Sequence, residues 1–82
     1  MTRAGTIDEA IIRSLEKYFR DLDGQMPSGI YDMVIQAVER PLLEVVMREA
    51  DGNQVRASEM LGINRNTLRK KLVNHGLLDD AA

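Results

Sequence analysis

The sequence predicts an all-α protein of four helices, with an N-terminal two-helix dimerisation core and a C-terminal helix-turn-helix. Apolar residues recur at helical spacing along the chain, turn-forming residues separate the helical segments, and no segment alternates as a strand does. We predict one domain over residues 1–82, in which residues 6–50 form the dimerisation helices and residues 53–76 form the helix-turn-helix.

The first helix is predicted over residues 7–21, because apolar residues follow one helical face there. Thr6, followed by Glu9 three residues later, fits a capping box at its N-terminus. Residues 23–28 (DGQMPS) contain the turn-forming residues that end this helix and precede the next. The apolar face consists of Ile7, Ile11, Leu15, Tyr18 and Leu22.

The second helix is predicted over residues 29–50, with Ser28 as a candidate N-cap. Its apolar residues cover more than one face, so more than one face must be buried. In a chain of 82 residues, a second copy of the chain is the simplest partner for such a helix. The sequence therefore predicts a homodimer.

Pro41 lies inside this second segment, where it removes a helical hydrogen bond and predicts a kink. The alternative is a pair of separate helices broken at Arg40. Because no Gly or Asn is present there to form a loop, one kinked helix is favoured.

A helix-turn-helix is predicted after the break at residues 51–53 (DGN). The third helix covers residues 54–61 with Asn53 as its cap, residues 62–63 form a tight turn, and the fourth helix covers residues 64–74. Two short helices joined by a turn that contains glycine are typical of this motif.

The inner face of the fourth helix is predicted from Leu68 and Leu72, which lie one turn apart and face inward together. This orientation points Asn66, Thr67 and Lys70 outward. The outward residues are therefore candidates for contact with a ligand.

Arg65 lies at the tip of the fourth helix, where recognition helices enter the major groove of DNA. Its planar guanidinium can bond two guanine acceptors at once. Thr67, Arg69, Lys70 and Lys71 are residue types that bind phosphates. Alternatively, the basic residues form a solvated helix end that is favourable to the helix dipole.

The helix N-termini behind Asn53 and Asn64 offer backbone N–H groups to phosphates. Both residues also fit the simpler role of N-cap. Capping does not exclude a contact with DNA, so both roles stay open.

Charge is distributed unevenly along the chain. The net charge is −2, yet residues 52–78 contain five Lys/Arg residues and one Glu, which is a balance of +4. Residues 1–51 carry a balance of −4, and Asp79 and Asp80 add −2. This asymmetry favours a polyanionic partner for the C-terminal part of the chain.

Composition excludes several classes of function. The chain has no cysteine and one histidine, so it predicts neither disulfides nor a zinc site. No apolar run approaches the roughly 20 residues of a membrane span. Residues 1–6 lack a basic region followed by an apolar core, so we expect no secretory signal and a cytoplasmic location. No nucleophile–base pair and no phosphate loop is present. We therefore expect neither an enzyme nor a cofactor.

Three motifs carry a resemblance. Residues 52–72 read GNQVRASEMLGINRNTLRKKL, residues 38–44 read VERPLLE around the proline, and residues 15–19 read LEKYF. Over roughly residues 7–78 the chain closely resembles the Fis family of nucleoid-associated proteins. It is also similar to the C-terminal DNA-binding domain of bacterial enhancer-binding activators.

Resemblance to Fis implies a homodimer with an intertwined four-helix core, located in the nucleoid. Because the two recognition helices in that family are closer together than one DNA turn, double-stranded DNA must bend to meet both, and recognition is mostly indirect. By matching position, Arg65 and Asn64 would reach base edges. The residues that would hold the DNA backbone are Asn53, Arg56, Thr67, Arg69, Lys70 and Lys71.

The chain departs from the family at several positions. Family members carry a β-hairpin arm that contacts recombinases, whereas six residues precede the predicted first helix here, so recombinase contact is not expected. Asn66 replaces a smaller residue in the recognition helix and is itself a candidate DNA contact. Val55 cannot donate to phosphate, and Val73 and Asn74 replace basic residues.

Two other functions remain open. The chain could be the C-terminal fragment of a larger enhancer-binding activator, although Met1 and the near-complete family length favour a free-standing regulator. Alternatively, it could be a helical protein-interaction module, in which the apolar second helix binds another protein.

Overall fold

The computed structural model describes the backbone of residues 3–79 and the side chains of residues 5–79. Over this range the chain forms four helices and no strand, which confirms the all-α fold class. Asp80, one of the two C-terminal aspartates in the charge analysis, lies outside the described residues. The helices are α1 (Arg3–Asp21), α2 (Ile30–Glu49), α3 (Gln54–Leu61) and α4 (Arg65–Asn74).

The start of α1 differs from the prediction. The helix begins at Arg3 and already includes Thr6, so the predicted capping box is wrong. An N-cap residue needs non-helical backbone angles, whereas Thr6 lies inside the helix. At the other end, Asp23 and Gly24 adopt left-handed φ angles of 53° and 84°, just after the helix ends.

α2 is a single helix of 20 residues that passes through Pro41 without a break. The prediction of one helix rather than two is therefore confirmed. Proline removes the hydrogen bond that an amide at this position would donate to the carbonyl of Ala37. Gly29, with a φ angle of 68°, immediately precedes the helix, so the predicted cap Ser28 does not flank it directly.

Contacts divide the chain into two compact units, one ending at Ile30 and the other starting at Tyr31. The first unit contains α1, which is amphipathic. Ile7, the first residue of its predicted apolar face, is exposed. The remaining residues of that face are partly buried: Ile11, Leu15, Tyr18 and Leu22.

The second unit contains α2, α3 and α4 around one small core. The predicted inward orientation of the α4 leucines is confirmed, and the C-terminal half of α2 contributes to the same core. No helix within residues 3–79 is long and apolar enough to cross a lipid bilayer. The buried apolar residues of the core, each at most 1% exposed, are Leu43, Ala50, Ala57, Leu68 and Leu72.

Candidate nucleic-acid interface

Asn53 defines the start of α3. Its backbone is extended, with φ −81° and ψ 110°, and its Oδ1 atom accepts a hydrogen bond from the Arg56 amide at 3.1 Å. Before it, Asp51 and Gly52 adopt left-handed φ angles of 55° and 78°, which turn the chain between α2 and α3. The capping role predicted for Asn53 is confirmed, and Arg56 lies exposed in the first turn of α3.

Gly62 forms the turn between α3 and α4. Its φ angle of 76° is one that residues with a side chain rarely adopt. The amides of Gly62 and Ile63 donate to the Ser58 carbonyl at 2.9 and 3.1 Å. Ser58 is 7% exposed, and its hydroxyl donates to the Val55 carbonyl at 2.7 Å. α3 and α4 pack directly against each other.

Both ends of α4 are closed by local hydrogen bonds. Oδ1 of Asn64 accepts a hydrogen bond from the Asn66 amide at 2.7 Å, which confirms the predicted N-cap. At the other end, the Gly76 amide donates to the Val73 carbonyl at 3.0 Å, and the next amide donates to the Leu72 carbonyl at 2.8 Å. This Schellman pattern, with Gly76 at φ 73°, ends the helix.

Most of the predicted site residues have exposed side chains on α3, on α4 or at the N-caps of these helices, and we call this set the α3–α4 outer surface. Arg69 and Lys71, which were also predicted, are partly buried. Within residues 3–79, no group of three or more His, Asp or Glu side chains is arranged to hold a metal ion. The exposed members of the outer surface are Asn53, Arg56, Asn64, Arg65, Asn66, Thr67 and Lys70.

Glu39 joins α2 to α4 through both carboxylate oxygens. Oε2 accepts a hydrogen bond from Nζ of Lys71 at 2.7 Å, and Oε1 lies 2.8 Å from Nε2 of His75. The side chains of Glu39 and His75 are 16% and 6% exposed. We call Glu39, Lys71 and His75 the α2–α4 bridge.

Arg40 reinforces the bridge, because its guanidinium donates a hydrogen bond to the carbonyl of His75. Carbonyls at a helix C-terminus lack helical partners. The sequence-based site omits Glu39, Arg40 and His75. One signal could have identified Glu39. It lies four residues before Leu43 and seven before Val46, on the same helical face as these two apolar residues. An acidic residue on a buried stripe indicates a polar partner.

Comparison with known proteins identifies the family. The model of bacterial regulatory proteins of the Fis family matches residues 34–73, from the first half of α2 to the last turn of α4. A Fis-like DNA-binding protein of Ralstonia nicotianae is 64% identical over 72 residues, which cover 88% of this chain and 94% of that relative. The chain belongs to the Fis family. The predicted resemblance is therefore confirmed.

Relatives from Neisseria meningitidis agree with this assignment. Proteins of serogroups A and B, also named as Fis-like DNA-binding proteins, are each 60% identical over 72 residues. These alignments cover 88% of this chain and 91% of each relative. The similarity thus extends well beyond the helix-turn-helix.

In this Fis-family protein, the bridge lowers the pKa of the Glu39 carboxyl group. The hydrogen bond from Lys71 is the largest cause, and the hydrogen bond with His75 acts in the same direction. Both favour the charged carboxylate, whereas partial burial opposes it. The carboxylate form of Glu39 therefore stabilises the packing of α4 on α2.

We predict that the bridge makes the free energy of unfolding depend on pH. The folded-state pKa of Glu39 lies below its ordinary value of 4.5. The stabilisation is therefore present above that pH and is lost as the pH falls through the folded-state pKa. Denaturation of wild type and Glu39→Gln from about pH 7 to about pH 3 should give a stability difference that shrinks on acidification.

The exposed Glu44 on the same helix provides the control for this measurement. Glu44→Gln should change the free energy of unfolding little at any pH in that range, because a solvated carboxylate has few contacts to lose. A stability difference between Glu39→Gln and wild type that did not vary with pH would contradict the prediction.

Proposed function

We propose that this Fis-family chain is a homodimeric, non-enzymatic DNA-binding and DNA-bending protein of limited sequence preference. Its proposed roles are transcription regulation and nucleoid organisation in the bacterial cytoplasm, with double-stranded DNA as partner and without a cofactor. The observation that carries the proposal is the α3–α4 outer surface. The amide, hydroxyl and basic side chains of this set are exposed, while the same two helices bury Ala57, Ser58, Leu68 and Leu72.

The proposed contacts with base edges come from the first turn of α4. Arg65 is the first residue of the helix and is exposed, which suits entry into the major groove. The cap uses Oδ1 of Asn64, so the NH₂ group of that side chain remains outside the cap and can donate to DNA. Asn66, exposed in the same turn, is the third proposed contact.

The proposed contacts with phosphates surround this first turn. Arg56, Thr67 and Lys70 have exposed side chains of the types that bind phosphates, and Asn53 lies beside the N-terminus of α3. The partly buried Arg69 and Lys71 complete the proposed set. Lys71 donates one hydrogen bond to Glu39, and an ammonium group has three donors, so it can bind a phosphate as well.

The proposed homodimer rests on an exposed apolar stripe along α2. Its members follow one another at spacings of four and three residues, the pattern by which helices pair side by side. Their exposures range from 36% to 77% in the single subunit. Apolar side chains exposed to water to this extent make the isolated subunit unfavourable, whereas pairing of two α2 helices would bury them. The stripe consists of Tyr31, Ile35, Val38, Leu42 and Val45.

Bending follows from the proposed dimer together with the family. Relatives from Ralstonia nicotianae and Neisseria meningitidis are named as DNA-binding proteins, which supports DNA as the ligand of this chain. In Fis the two recognition helices are closer together than one DNA turn. Two α4 helices with this spacing would enter two successive segments of the major groove only if the DNA is bent. Sequence preference would then depend largely on DNA deformability.

We expect a charge on the α2 stripe to dissociate the dimer. Leu42→Lys should shift the protein to monomer in sedimentation equilibrium at micromolar concentration, because an unpaired charge is costly to bury. Met60→Lys is the control, since Met60 on α3 is 51% exposed and lies outside the stripe. A monomeric wild type would contradict the dimer and favour the protein-interaction hypothesis.

Substitutions on α4 should separate base contacts from phosphate contacts. Arg65→Ala is expected to weaken binding by about 1–3 kcal/mol and to reduce discrimination between sequences. Lys70→Ala should weaken binding to all sequences alike and reduce the log–log salt slope by about 0.9 for each lost contact. Gel-shift titrations on two duplexes at two salt concentrations measure both effects. Unchanged affinity in Arg65→Ala would reject the base contact.

Asn64→Asp should separate capping from DNA contact. A carboxylate oxygen can accept the hydrogen bond from the Asn66 amide, so thermal denaturation should show little loss of stability. The same change replaces the NH₂ donor with a negative charge that faces the phosphates, so DNA affinity should fall about tenfold or more. Asn64→Ala, which removes the cap, should instead cost about 0.5–2 kcal/mol of stability. Wild-type affinity in Asn64→Asp would leave Asn64 as a cap only.

A further inference from the structure

We propose that Glu39, which lies on α2 and not on the α3–α4 outer surface, is a positioning residue for DNA recognition. By holding Lys71 and His75 together, it sets the orientation in which α4 presents Arg65 to the duplex. This inference rests on the DNA-binding function proposed above and assigns part of its specificity to a residue behind the interface.

The geometry of the bridge constrains α4 at two points. Each carboxylate oxygen has its own partner, at 2.7 Å for Lys71 and 2.8 Å for His75. Lys71 lies in the last turn of α4 and His75 is the C-cap residue, so both contacts hold the C-terminal end of the helix. A single contact would restrain the helix at one point only, whereas two contacts to one carboxylate add to the core packing of Leu68 and Leu72 a restraint on both rotation and sliding.

Burial makes these contacts persistent. The His75 side chain is 6% exposed and Glu39 is 16% exposed, so water has limited access to compete for the carboxylate. The neighbouring Arg40 donates to the carbonyl of His75, and thus a second residue of α2 holds the same end of α4. The C-terminal half of α4 is therefore fixed by directional polar contacts in addition to Leu72.

The fixed end controls the position of the recognition residue at the other end. A helix of 10 residues, such as α4, is about 15 Å long at a rise of about 1.5 Å per residue. A tilt of about 10° at the His75 end would displace Arg65 by about 2.5 Å over that length. Paired hydrogen bonds to a guanine edge require placement within about 0.5 Å. A small tilt of α4 at the bridge would thus displace Arg65 too far for paired hydrogen bonds to a base edge.

The charge of Glu39 allows a sharp test. Removing a carboxylate from a DNA-binding unit raises its attraction to phosphates by Coulomb's law, so a pure charge effect predicts tighter binding. Loss of positioning predicts weaker binding. Glu39→Gln conserves size while removing the charge, and it leaves one carbonyl oxygen where the carboxylate offered two acceptor oxygens. The two explanations therefore differ in sign.

The experiment compares wild type, Glu39→Gln and Glu44→Gln in DNA titrations at one salt concentration, with helicity checked by circular dichroism. We expect folded Glu39→Gln to bind DNA about tenfold more weakly than wild type. In other proteins, moving a functional group by about 1 Å reduces activity by that factor or more. Glu44→Gln, exposed on α2, should bind as tightly as wild type or slightly more tightly. Equal or tighter binding by Glu39→Gln would overturn the proposal.

A double-mutant cycle distinguishes positioning from a general loss of stability. If Glu39 acts through Arg65, the effect of Glu39→Gln should shrink in an Arg65→Ala background, since coupled residues are not additive. Full additivity would overturn the proposal. Should Glu39→Gln not fold, His75→Leu removes one partner of the carboxylate and is judged by the same two outcomes.

The wild-type titration separates this inference from the function on which it rests. Wild-type protein that fails to bind duplex DNA would reject both. Wild-type protein that binds, together with undiminished binding by Glu39→Gln, would reject only the positioning role.

Discussion

The outer side of α4 can face a partner only because its inner side is fixed to the rest of the second unit. Leu43, Leu68 and Leu72 are each at most 1% exposed, and each such side chain contributes about 1.5–3 kcal/mol when buried. Close packing of these side chains limits how α4 can be rotated against its neighbours. The two polar contacts of Glu39 narrow that range further, because hydrogen bonds weaken steeply when their geometry changes. Core and bridge therefore act together to fix the orientation of α4.

α2 takes part in two different packing arrangements. Leu43 and Val46 face the core shared with α3 and α4, whereas Val38 and Leu42 lie exposed on an adjacent face. Successive residues of a helix point about 100° apart, so a single helix can serve both surfaces. In the proposed dimer, α2 would connect the dimer contact to α4 and so set the distance between the two α4 helices. This helix continues unbroken past Pro41. Dimer geometry and DNA geometry would then depend on the same element.

Most of the fold could be predicted from the sequence, because local signals dominate it. Asn53 and Gly62 mark helix boundaries through hydrogen bonds to residues a few positions away, and such contacts need no knowledge of the rest of the chain. The spacing of Leu68 and Leu72 likewise identified an inner face. The start of α1 could not be read correctly in the same way. The pattern at Thr6 is the same whether the helix begins there or continues through it, so it does not define the start of the helix.

The sequence by itself determined the four helices, the N-caps of α3 and α4 and the set of candidate polar residues, because periodicity and capping are properties of short segments. Only the tertiary structure decided which of these residues are exposed and which are engaged elsewhere. Lys71, in sequence one of several similar cations, is paired with Glu39, 32 residues away, and His75 meets the same carboxylate from 36 residues away. Such contacts depend on how one helix is rotated against another. That rotation results from the packing of the whole unit, and no local pattern specifies it.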